Sequence, residues 1–115
     1  MTDKQFKDYE RLLPEMAVLA KVELIRTAED WIFGHDDAVP FAPRHDDGDC
    51  LKLLIGMRSA VYKTGRRVEL YGGSARVSCR IANNAAVEIE GIADRDQDAI
   101  CLCAMAWIEQ ETATP

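Results

Sequence analysis

The chain has 115 residues, 48% of them apolar and 30% charged, with a formal net charge of −6. That length suits a single domain with one modest core, and the composition is that of a folded chain rather than a disordered one. The acidic balance speaks against a nucleic-acid or membrane-surface binder, since both need a basic footprint, and it fits docking on a basic partner.

The first residues, Met1-Thr2-Asp3-Lys4-Gln5, are polar and show no signal-like apolar stretch, so a cytoplasmic protein is expected. Thr2 with Gln5 three residues on has the pattern of a capping box. Phe6, Tyr9, Leu13, Met16 and Ala20 then recur at helical spacing and predict one buried stripe. Pro14 interrupts it, so the helix either kinks there or restarts and runs on to Leu24. Residues 28–33 are read as a further helical turn ending at Gly34, which makes 1–33 an N-terminal helical region.

Residues 34–49 form an acidic loop, with prolines at 40 and 43 and the paired triplets His35-Asp36-Asp37 and His45-Asp46-Asp47. Residues 50–115 read as a helix–meander–helix unit of the same single domain. Cys50, Leu53, Leu54, Met57, Ala60 and Val61 make one apolar helix face, with Asp46 or Asp47 as cap and Gly65 as a natural stop. Val68 and Leu70 alternate with polar neighbours up to the turn Gly72-Gly73-Ser74. Ala75, Val77, Cys79 and Ile81 make the cleanest strand pattern, Asn83-Asn84 a second turn, and Val87 and Ile89 a third strand. A last helix is capped by Asp94 and is apolar almost all round over residues 99–108, a run too short to span a bilayer. The reading is α+β: a three-stranded antiparallel meander with flanking helices, in the order α-α-β-β-β-α. The last helix carries more apolar surface than one small core consumes, so self-association as a homodimer or larger homo-oligomer is expected.

No motif carries a reaction. Cys50, Cys79, Cys101 and Cys103 sit among apolar neighbours. Cys101 and Cys103, two apart on a helix, face nearly opposite ways and do not clamp one metal; buried, reduced thiols are expected, with redox or metal roles as the alternative. The two His-Asp-Asp triplets offer metal ligands or an acid–base pair, but loop and helix-cap roles explain them more simply. Residues 94–105 imitate a calcium loop yet have Ala99 where glycine is needed and Met105 where glutamate is needed. Gly72-Gly73-Ser74 lacks a phosphate-loop lysine, and Ser74 and Ser78 have no nucleophile setting. Trp31, Phe33, Phe41 and Tyr71 are pocket or stacking candidates, more simply core and loop anchors.

The outer strand face reads Glu69, then Arg76 and Arg80, then Glu88 and Glu90, alternating in sign between neighbouring strands. The binding candidates are therefore Trp31, Tyr71, Arg76, Arg80, Glu88 and Glu90, with no catalytic residue, no metal ligand and no cofactor expected.

Three segments resemble the small phage-encoded domains of the phage ABA-sandwich type. They are Pro43-Arg44-His45-Asp46-Asp47 leading into a helix, Val68-Glu69-Leu70-Tyr71-Gly72-Gly73 into Val77-Ser78-Cys79, and a closing helix Asp98-Ala99-Ile100-Cys101-Leu102-Cys103-Ala104-Met105-Ala106-Trp107. The likeness covers residues 41–108. It implies an accessory protein of a phage or prophage, working in the cytoplasm of a bacterial host, and brings no general activity with it. The leading expectation is a non-enzymatic interaction protein acting on a host or phage protein. One alternative is a module that binds or sequesters a nucleotide-like small molecule, with Arg76 and Arg80 for an anion and Tyr71 and Trp31 for a ring. Another is a metal-dependent hydrolase at the His35/His45 loop.

Overall fold

The computed structural model describes residues 1–27, 29–35, 39–73 and 75–113. Asp36, Asp37 and Ser74, named above, lie outside them. Helix α1 spans Asp3–Leu19, strands β1 and β2 span Leu24–Arg26 and Trp31–Phe33, and helix α2 spans Asp47–Tyr62. Strands β3, β4 and β5 span Arg67–Gly72, Val77–Ala82 and Val87–Ala93, and helix α3 spans Asp96–Ala113. The α+β class and the antiparallel meander β3-β4-β5 are as expected, and a second, two-stranded sheet β1-β2 is added to them.

Helix α1 opens on the expected capping box, with the Thr2 hydroxyl accepting from the Gln5 N–H and the Gln5 side chain accepting from the Thr2 N–H. It continues through Pro14 without restarting. Its end is not at Leu24. The Val22 N–H bonds the Ala17 carbonyl and the Lys21 N–H bonds that of Val18, a Schellman ending with Lys21 at φ 59°.

Residues 31–33, expected as a helical turn, pair instead with β1 in the register Leu24↔Phe33, Ile25↔Ile32, Arg26↔Trp31. Thr27 closes the turn: its hydroxyl accepts from the Asp30 N–H and donates to the Asp30 carbonyl. Phe41, buried beyond the hairpin, bonds the Phe33 carbonyl through its N–H and ties the hairpin to the core.

Asp46 is the cap of α2 and accepts from the Asp49 N–H. Gly65, at φ 77°, ends that helix as expected. In the meander, Gly73 and Arg76 close the first turn, so β4 begins at Val77 rather than Ala75. The Asn83 side chain closes the second by accepting from the Ala85 and Ala86 N–H groups. Helix α3 begins later than an Asp94 cap implies, since its first helical bond is accepted by the Arg95 carbonyl.

The helices cover one face of the meander. Val68, Val77, Cys79, Ile81 and Ile89 face them, and Gly91 lies so close to α3 that an added Cβ would stand 2.6 Å from the Ala99 carbonyl oxygen. Helix α3 is enclosed by the sheet on one side and by α1 and α2 on the other. Its two thiols show this: Cys103 meets Cys79 of β4, while Cys101 faces Tyr9, Arg44 and Cys50. The apolar surplus of α3, from which self-association was expected, is thus consumed within the chain. All four cysteines are free and buried. Among the described residues, no helix is long and apolar enough to cross a membrane.

Candidate functional site

The six predicted binding residues fall in four places. Tyr71, Arg80 and Glu90 come together on the open outer face of the meander. The register sets Glu69, Arg80 and Glu90 abreast across the three strands. Arg80 is ion-paired to Glu90, donates to the Ser78 hydroxyl at 3.2 Å, and has its guanidinium 4.9 Å from the Tyr71 ring centroid. The Tyr71 hydroxyl donates to Glu69, which pushes the Tyr71 pKa up; hydrogen bonds from Ser78 and Arg80 hold Glu90 below the usual carboxylate range. The face is internally satisfied: the cation meant for an anion and the ring meant for stacking are engaged with one another.

Glu88 does not join that row. The register irregularity between Ile81 and Ala82 sets Ala82 against Val87. Glu88 pairs with Arg66, whose guanidinium sits 5.8 Å from the Trp107 ring of α3. It therefore belongs to the seam between sheet and helix. Arg76 stands in the first turn and lines a separate recess with Met1, Asp94 and Asp98.

The histidines also separate in role. His35 Nε2 is 2.6 Å from Oδ1 of the buried Asp49, whose Oδ2 accepts from the Ala42 N–H. With Asp49 ionised, Nε2 carries the proton and donates it. Asp49 thus fastens His35 and Ala42 to α2. His45 sits exposed in the turn before α2. Among the described residues, no group of three histidine, cysteine or acidic side chains is placed to hold a metal.

Trp31 marks the fourth place, and it has the shape of a site. A recess of about 390 Å³ runs between α1 and the β1-β2 hairpin. Leu13, Leu24 and Phe33 form its apolar walls, Phe41 its buried floor, and Pro14 and Pro40 contribute rigid edges. Trp31 and Leu24 at its mouth are 52% and 50% exposed. Arg26, opposite Trp31 in register, holds its guanidinium 5.6 Å from that ring. Among the described residues, Glu10 is the one ionisable side chain in the lining, and it enters no ion pair with another of them. Sequence reading found Trp31 but missed the recess. The available signal was the hairpin pattern Leu24-Ile25-Arg26, a Thr-led turn, and Trp31-Ile32-Phe33.

No protein-family model, no curated protein and no solved structure matches the chain.

Proposed function

We propose that this chain is a non-enzymatic interaction protein that takes a partner protein's cationic, apolar segment into the groove between α1 and the β1-β2 hairpin. The observation that carries the reading is the half-exposed pair Trp31 and Leu24 over an apolar recess whose one charge among the described residues is Glu10. An aromatic anchor beside a preformed apolar hollow is the usual core of a docking site. Glu10 and the net charge of −6 select a segment in which lysine or arginine adjoins the apolar anchor. The phage or prophage setting, with a host protein as target, belongs to this proposal and rests on the resemblance of residues 41–108. A nucleotide-sequestering role at Arg80 and Tyr71 has less support, because Glu90 and Glu69 already occupy those groups.

The test uses the emission of Trp31, with Trp107 buried as an internal constant. Synthetic peptides that alternate lysine or arginine with leucine or phenylalanine are titrated in, beside charge-reversed versions. Saturable change with the cationic set at a Kd of roughly 10–100 µM, lost in Leu24→Glu and weakened in Glu10→Lys, supports the reading. Equal response to both peptide sets, or binding that survives Leu24→Glu, sinks it.

A further inference from the structure

The outward face of α2 carries large apolar side chains that no other described element covers. Leu51, Ile55 and Tyr62 are 54%, 55% and 79% exposed, while Cys50, Leu53, Leu54, Met57 and Val61 of the same helix are buried in the core. At about 100° per residue, Asp47, Leu51, Ile55, Arg58 and Tyr62 fall within an arc of about 80°. They form one stripe that reads acid, apolar, apolar, base, aromatic from the first turn to the last. Lys52 and Lys63 flank it, and neither they nor Arg58 enters an ion pair among the described residues. In a chain of net charge −6, a cation set in an exposed apolar stripe calls for an acidic counterpart.

We infer that α2 pairs with α2 of a second copy of this chain, antiparallel about a twofold axis near Ile55. The order of charges along the stripe selects this occupant. Parallel pairing sets Asp47 on Asp47 and Arg58 on Arg58. Antiparallel pairing brings Asp47 of one copy opposite Tyr62 of the other and on the same side of the contact as its Arg58, and lays the two Ile55 side chains together at the axis. A twofold contact uses the same patch on both copies, so the stripe has to complement itself when reversed, and it does. Asp47 keeps an oxygen for the partner, since Gln97 bonds only Oδ1.

Sedimentation velocity of the full chain, from low micromolar to about 200 µM, is the test, with far-UV circular dichroism confirming the fold of each variant. The wild type is expected to dimerise with a Kd of roughly 10 µM, and Ile55→Asp to weaken this by about 100-fold or more. Arg58→Glu weakens the dimer; adding Asp47→Lys in the same chain restores it, because both symmetric contacts are then reversed together. A folded wild type that stays monomeric throughout overturns the inference, as does a dimer indifferent to Ile55→Asp. A monomer that instead cosediments with phosphatidylglycerol vesicles overturns it in favour of a lipid surface.

Discussion

Arg44 joins three parts of the molecule. Its Nε donates to Asp98 at 2.8 Å, its guanidinium lies 4.6 Å from the Phe6 ring and 5.7 Å from that of Tyr9, and its carbonyl accepts from Arg95. One residue thus fastens the approach to α2 onto both α1 and the opening of α3. The pair is largely shielded from water, which makes the loss of one partner costly: Arg44→Ala leaves the Asp98 carboxylate buried without its cation. The expected loss is about 3 kcal/mol, read as a lowered urea midpoint. Arg44→Lys keeps the charge but loses the planar stack on Phe6, at about 1 kcal/mol. Replacing both partners together with Met and Leu is expected to recover most of the loss, since a buried pair contributes little over apolar groups of similar volume. A double variant as weak as Arg44→Ala would show instead that the pair is needed for its own geometry.

At the scale of elements, close approach of backbones decides what is tolerated. Helix α2 meets the end of α1 at Gly56, where an added Cβ would lie 1.9 Å from the Leu19 carbonyl oxygen and 2.8 Å from its carbon. Both are backbone atoms and neither yields cheaply. Gly56→Ala is therefore expected to cost about 3 kcal/mol, although alanine is the better helix former by about 1 kcal/mol. A Gly56→Ala variant as stable as the wild type would show that the two helices slide apart freely. The α1 ending offers the reverse case: Lys21 occupies a left-handed position that suits glycine, so Lys21→Gly is expected to raise stability by about 1 kcal/mol in the same measurement. These two positions also show why the N-terminal third was hard to read. No glycine marks the stop at Lys21, so the helical pattern reads on to Leu24. Strands of three residues, Leu24–Arg26 and Trp31–Phe33, are too short for alternation to declare itself. The meander and the helices beside it were legible because Cys79 and Ile81, or Leu53 and Met57, repeat a clean period. Tyr71, Arg80 and Glu90 followed from that same alternation. The groove did not, because Pro14, Leu24 and Pro40 meet only once the hairpin turns back, and Glu88 was misplaced by a register shift no composition reveals.

For the whole molecule, the core holds protonated acids that resist ionising, and this sets its alkaline limit. Burial, with the Asp47 and Asp96 charges adding, pushes the Cys50 thiol from its ordinary 9.0 up to about 11. Burial, with Cys101 adding, pushes the Tyr9 hydroxyl from 10.0 up to about 12. In each case the folded state holds its proton more tightly than the unfolded state does. Below the unfolded value the two states are equally protonated and the full stability is present. Above it the unfolded chain ionises first, and stability falls until the folded value is passed. The window for Cys50 is therefore pH 9 to about 11, and for Tyr9 pH 10 to about 12. A proton held that much more tightly is equivalent to about 3 kcal/mol of stability lost per group once both states have ionised. For a domain whose total stability is roughly 5–15 kcal/mol, that is enough to bring it close to unfolding by the upper end of the window. Urea midpoints recorded between pH 8 and 12 are expected to fall in two overlapping steps. Cys50→Ala shrinks the earlier step without abolishing it, because the Cys101 thiol, pushed up by burial, and the Cys103 thiol, pushed up by its bond with Cys79 and by burial, also ionise first in the unfolded chain from pH 9, while Tyr9→Phe removes the later step. If both variants fall along the wild-type curve, alkaline unfolding comes instead from repulsion across a chain that already carries −6 at neutral pH, and raising the salt concentration would then flatten it.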